Sequence, residues 1–149
     1  MKRPLELYVL YLLYFIIIAG ALPAGFGMVT ESTGVTLGMS PQVLVNSPFS
    51  SFLAPGIILI VCIGLLPLYT LFGLIAKPHW QWAGVFNIYK GRHWAWAYSL
   101  YCGAIIVGWI LIQITMIQYS ILQPIIGGIG LLIIILTVLP RTMQYFDTQ

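Results

Sequence analysis

Charge is what this sequence has least of. Asp, Glu, Lys and Arg together make up 6% of its 149 residues, against about 25% in an ordinary soluble domain. So few charges cannot build a water-facing surface. With 60% of residues hydrophobic, lipid is the solvent that most of the chain requires. Acidic residues are the rarest: Glu6, Glu31 and Asp147. None of them lies deep in an apolar run, where a proton-coupled carrier keeps one. Cysteine is nearly absent as well. Cys62 and Cys102 sit inside long apolar runs, which argues against a secreted disulfide framework. The basic residues Lys2, Arg3, Lys77, Lys90, Arg92 and Arg141 are spread over four places. They make no patch, so nucleic acid is excluded as a partner.

What is present is long apolar runs. A helix needs about 20 apolar residues to cross the hydrocarbon core. Four segments qualify, at about residues 5–29, 54–76, 94–117 and 121–139, and Glu6 at the edge of the first is their one charge. The runs Phe15-Ile16-Ile17-Ile18 and 131–136 show no alternation of polar and apolar residues, so a transmembrane barrel is excluded. Lys2 and Arg3 ahead of an apolar stretch resemble a signal peptide. The stretch is too long for one, however, and Pro23 spoils the Ala21–Ala24 segment as a cleavage site, so a retained helix is expected. Residues 1–149 are read as a single transmembrane domain.

Four crossings place all six basic residues on one side of the membrane. The other side then carries residues 30–53 and the turn near Gln118, without Lys or Arg. This positive-inside pattern predicts a multi-pass protein of the cell (inner) membrane with both termini cytoplasmic.

The outer loop looks structured. Ser40-Pro41 and Ser47-Pro48 are cap-and-first-turn signals, because proline lacks the N–H that would be unpaired there. Two short helices are expected after these serines, as an interfacial cap or, in a sharper reading, a substrate gate. On the inner side His79-Trp80-Gln81-Trp82 recurs as His93-Trp94-Ala95-Trp96. His79, Trp80, Trp82, His93, Trp94 and Trp96 are read as interfacial residues, the two ends of one aromatic belt.

Catalytic chemistry finds little support. The two histidines have no Asp, Glu or Cys in their loop to complete a metal site, and no cofactor is implied. Cys62 and Cys102 lie at depths that differ by roughly 10 Å at 1.5 Å per helical residue. A disulfide needs Cα atoms within about 7 Å, so both are expected as reduced packing residues. Gln113 lies one turn beyond Trp109, on the same face. An amide in hydrocarbon wants a partner, so Gln113 is expected to face the bundle, and Trp109 with Gln113 forms the candidate ligand or packing face. Ser99, Gly103, Ala104 and Gly108 form overlapping small-xxx-small pairs suited to close helix contact.

Leu37-Gly38-Met39, Ser47-Pro48-Phe49, Phe52-Leu53-Ala54-Pro55-Gly56, Trp109-Ile110 with Gln113, and Gln123-Pro124 follow in this order. In these motifs, across residues 34–139, the chain resembles an uncharacterised family of small prokaryotic four-helix integral membrane proteins. The resemblance implies fold and membrane location and carries over no activity.

The expectation is an all-α polytopic transmembrane bundle of four helices with a structured, partly helical outer loop. Its expected role is non-catalytic: an accessory subunit or partner-binding component of a membrane complex. Its partners would be the lipid bilayer and a membrane protein or a second copy of the chain. The alternative is a small transporter or a binder of a hydrophobic ligand, lipid or quinone, with the outer loop as a lid. No nucleophile–base or carboxylate pair marks an enzyme.

Overall fold

The computed structural model describes residues 2–148, and no strand occurs among them. Three helices are long and apolar enough to cross a membrane: α1 (Leu5–Thr30), α2 (Leu53–Ala76) and α3 (Trp94–Met116). A fourth apolar helix, α4 (Leu122–Val138), has 17 residues. It stops before the expected residue 139 because Pro140 follows. The residue before a proline is driven out of helical conformation, and Leu139 is extended, with φ −61° and ψ 139°. The short helix α5 (Pro140–Tyr145) then starts with that proline in its first turn.

The inward face of α1 is made by Leu7, Leu10, Tyr14, Ile17, Ile18, Ala21 and Gly25, the spacing that one helical stripe requires. In α2 the segment Leu59–Leu65 is π-helical, and the N–H of Leu66 bonds to the carbonyl of Val61, five residues back. Pro67 lies just beyond. It has no N–H to give the carbonyl four residues earlier, and the wider turn is the local accommodation. Helix α2 ends at Lys77, whose backbone is left-handed (φ 49°) and whose N–H bonds Gly73.

Glycines set how closely the helices approach. A Cβ at Gly25 would fall 2.6 Å from Ile60, and one at Gly64 would fall 2.5 Å from Leu22, so α1 and α2 meet backbone to side chain. A Cβ at Gly103 would lie 2.5 Å from Ile134 and 3.0 Å from the Gly130 carbonyl, so α3 and α4 are as close. Gly73 receives the Trp94 ring, at 2.4 Å from such a Cβ, and this joins the end of α2 to the start of α3. Of the small residues read as one packing stripe on α3, only Ser99 and Gly103 are buried. Ala104 is exposed, and a Cβ at Gly108 would meet nothing within 4 Å.

The loop between α1 and α2, residues 31–52, is ordered by its own groups. The Glu31 carboxylate accepts from the backbone N–H of Thr36 (2.9 Å) and Thr33 (3.2 Å). These bonds, led by Thr36, hold its carboxyl below the usual carboxylate range. Two one-turn 3-10 segments follow, Val35–Leu37 and Pro41–Leu44, the second capped by the Ser40 hydroxyl as expected. The helix expected after Ser47-Pro48 does not form. Ser47 instead closes a local turn, donating to the Leu44 carbonyl (2.9 Å) and accepting from the Phe49 N–H (3.3 Å). The helix start moves to Leu53, after Ser51, whose hydroxyl accepts from the Leu53 N–H.

Candidate functional site

One end of the bundle is closed by its own chain. The Arg3 guanidinium donates to the Ile75 carbonyl (3.0 Å), and Arg141 lies 3.6 Å from Glu6. The Lys77 ammonium donates to the Tyr145 carbonyl and sits 3.4 Å above that residue's ring. Behind α5 the chain turns back across this end. The His93 N–H donates to Phe146 (2.9 Å) and the Thr148 N–H to Gly91 (3.1 Å). Phe146 is only 1% exposed. The basic residues 3, 77, 92 and 141 thus gather with the C-terminal segment at a single end.

His93 is the hinge of this arrangement. Its Nδ1 accepts from the Ala95 N–H (3.3 Å) and caps α3. Its Nε2 lies 3.0 Å from the Pro78 carbonyl, to which the Trp94 indole also donates (2.9 Å). An acceptor at Nδ1 and a carbonyl at Nε2 select the neutral Nε2–H tautomer. Burial depresses the His93 pKa, against a smaller opposing effect of the Pro78 bond. Burial likewise lowers Lys77.

The two His-Trp-x-Trp motifs are not equivalent. His79 and Trp82 are exposed and Trp80 is half-buried, whereas His93, Trp94 and Trp96 are buried within the protein. The two motifs, expected as two ends of one aromatic belt, stack on one another. Trp80 stacks on Trp94 (5.9 Å between ring centres), and Tyr69 stacks on both, at 5.8 and 4.9 Å. The His79 and His93 rings are 6.2 Å apart, edge to face. Among the described residues no group of three or more His, Cys, Asp or Glu gathers.

The interior of the bundle, toward the end that carries the basic residues, holds a closed polar chain. Tyr14 donates to Ser99 (3.0 Å), whose hydroxyl is 2.7 Å from that of Thr137. Thr137 also meets the Ile133 carbonyl (2.6 Å), and the Trp96 indole donates to the Thr137 carbonyl (2.8 Å). Beside it the Thr70 hydroxyl contacts the Cys102 thiol at 3.3 Å. Thr70 is eight residues along α2 from Cys62, about 12 Å at helical rise. The two cysteines therefore lie at different depths, and both are free. Sequence reasoning misses Tyr14 and Thr137 as polar core residues. The heptad-like spacing of Tyr14 with Leu7, Leu10 and Ile17 is the signal that marks it as inward.

No family model, no curated protein and no solved structure matches the chain. Its function is therefore read from its own geometry. Toward the end of α3 away from the basic residues, Trp109 is half-buried, and its buried indole N–H has no hydrogen-bond partner among the described residues. Gln113 is half-exposed. The glycine contacts fix the α3–α4 register: Gly127 faces Ile110, and Gly130 faces Ile106 and Val107. One more turn along both helices brings Gln113 level with Gln123. Gln123 is the enclosed amide, 3% exposed. Its oxygen accepts from the Ser120 N–H (3.4 Å), and its buried NH2 group has no partner among the described residues.

Proposed function

We propose that this chain is a non-catalytic integral membrane protein of the inner membrane, a component that binds a membrane partner through its helices. On this reading α1, α2, α3 and α4 each cross the bilayer and both termini are cytoplasmic. The observation that carries the reading is the closed polar core. The hydroxyls of Tyr14, Ser99, Thr137 and Thr70, with the Cys102 thiol, bond to one another and to helix carbonyls. Groups tied up in this way fasten helices together and are not poised to attack a substrate. The gathering of basic side chains at one end supports the positive-inside orientation. At 17 residues, α4 spans about 26 Å, close to the roughly 30 Å of the hydrocarbon core. Partner contact falls on the α3 face that carries Ala104 and Gly108, one turn apart and uncovered within the chain. Purification from native membranes in mild detergent tests the proposal. A stoichiometric membrane protein that is lost with Gly108→Leu is the expected result.

A specific observation favours a second reading. The buried, unpartnered donors of Trp109 and Gln123 suit a ligand that brings acceptor oxygens into an apolar setting, as a lipid ester or a quinone does. In that case the purified protein carries a bound lipid or quinone in place of a protein partner. The outer loop would then be its lid.

A further inference from the structure

The connection between α2 and α3 does not project from the end of the bundle. Trp80 stacks on Tyr69 and on Phe72 (5.5 Å), and the Trp82 ring lies 5.6 Å from Tyr69. Tyr69 and Phe72 sit seven and four residues before the end of α2, about 10 and 6 Å inside it at helical rise. The connection therefore folds back along the outside of the helices. Two tyrosines of α3 hold it there: Tyr98 donates to the Ala83 carbonyl (3.0 Å) and Tyr101 to the Phe86 carbonyl (2.9 Å). The 3-10 turn Ala83–Phe86 is fixed between them.

The outward side of this strapped connection is apolar. Trp82, Val85, Phe86 and Ile88 are 62%, 75%, 71% and 71% exposed. In water such a cluster would be a liability. Trp80 links this side to α2, its ring 5.5 Å from both Trp82 and Phe72, and Phe72 and Ile75 are exposed on that helix. Exposed Lys90 follows two residues after Ile88 and four before α3 begins. Apolar rings beside a helix end, with a cation at the rim, match the acyl–headgroup boundary of an anionic leaflet.

We propose that residues 78–91 are a lipid-inserted wedge. Trp82, Val85, Phe86 and Ile88 enter the acyl region of the inner leaflet, and Lys90 holds the phosphates of anionic phospholipids. This rests on the membrane reading above and adds a specific lipid contact to it. The test uses the full chain in vesicles of phosphatidylcholine with phosphatidylglycerol. Spin labels go at Val85→Cys, at Thr148→Cys, and at Phe15→Cys on the outward face of α1, with Cys62 and Cys102 replaced by Ala. The expected result is a Val85 label reached by oxygen and shielded from a water-soluble nickel complex, like the Phe15 label and unlike the Thr148 label. Lys90→Glu should move the Val85 label outward in these vesicles and leave it in place in pure phosphatidylcholine. A Val85 label as open to nickel as the Thr148 label, with Phe15 still in lipid, overturns the wedge alone. A Phe15 label in water overturns the membrane reading itself. A Val85 label shielded from both reagents means that protein covers the surface, and it also overturns the proposal. Should the cysteine-free background not fold, quenching by lipids brominated near the top of the acyl chain decides the matter. Wild-type tryptophan emission should be quenched, and Trp82→Phe should remove a large part of that quenching; an unchanged quench counts against insertion.

Discussion

The Ser99 hydroxyl lies 2.7 Å from that of Thr137, with both residues fully buried. Tyr14 joins them from α1 at 3.0 Å, so three helices share one hydrogen-bonded node. Interhelical bonds of this kind are worth about 0.6 kcal/mol on average in membranes, up to about 2. Ser99→Ala should lower thermal stability in mild detergent by about 1 kcal/mol, since it leaves the Tyr14 hydroxyl without its side-chain partner. In a double-mutant cycle with Tyr14→Phe the losses should be clearly less than additive. Full additivity would mean that the node is not a unit.

The α3–α4 contact makes a sharp comparison possible. A Cβ at Gly103 would fall 2.5 Å from Ile134 and 3.0 Å from the Gly130 carbonyl, while one at Gly108 would touch nothing. Overpacking costs about 1–3 kcal/mol. Gly103→Ala should therefore destabilise the detergent-solubilised protein by that order, and Gly108→Ala should leave its melting temperature unchanged or slightly raised. Equal effects at the two sites would refute this register of α3 against α4.

The long helices are legible in the sequence because their apolar runs leave the backbone no other way to satisfy itself in lipid. The gathering of basic residues at one end is legible from the same count of crossings. Rotation of the helices is harder to read. Gln113 and Gln123 look alike in sequence. Which one is enclosed depends on the Gly103, Gly127 and Gly130 contacts that turn α4 against α3, and small-residue spacing alone does not rank those above Gly108. The C-terminal closure leaves no sequence signal because residues 140–148 are short and mix polar with apolar residues, and Phe146 is held by partners far off in sequence, Lys77 and His93 among them. The π-helical segment likewise has no local signal beyond Pro67.

His93 gives a pH dependence whose sign follows from its surroundings. Burial lowers its pKa in the folded protein, and nearby His79 and Lys77 add to the effect. A base whose folded pKa is depressed stabilises the fold fully above its unfolded pKa of about 6.5, and that contribution is lost as pH falls through the lowered value. Protonated Nδ1 can no longer accept from Ala95, so the cap on α3 is lost in the same step. The melting temperature should fall on acidification below about pH 6.5. His93→Asn keeps a cap acceptor and should flatten that dependence. A decline of the same size in His93→Asn would assign it to another group.

The two glutamines should separate in a stability measurement. Gln123 is 3% exposed, with its oxygen bonded to the Ser120 N–H; Gln113 is half-exposed, and its side chain makes no hydrogen bond among the described residues. Replacing a buried amide whose NH2 is unsatisfied removes a penalty of about 1–3 kcal/mol and one weak bond together. Gln123→Leu should thus be neutral to stabilising in a scaffold, yet abolish binding if a ligand's acceptor oxygen completes that NH2. Gln113→Leu should change stability little and leave any such binding intact. Lost binding with Gln113→Leu alone would move the site to the other helix.

Side-specific labelling reads the orientation of the chain directly. Residues 3, 77, 92 and 141 meet at one end of the bundle through contacts with Ile75, Tyr145, Trp96 and Glu6. The opposite end carries residues 31–52, in which Glu31 is the only charged residue, and the uncharged turn before α4. Translocation disfavours Lys and Arg in short connections, so the charged end should remain in the cytoplasm. Asn46 and Gln144 are exposed at the two ends. Membrane-impermeant maleimide added to intact cells should label Asn46→Cys readily and Gln144→Cys only after the membrane is opened. Cys62 and Cys102 lie within apolar helices, so the parent protein supplies the blank. Labelling of Gln144→Cys from outside with Asn46→Cys protected would invert the topology. Labelling of both from outside would mean that an odd number of segments crosses, which would remove α4 as a span.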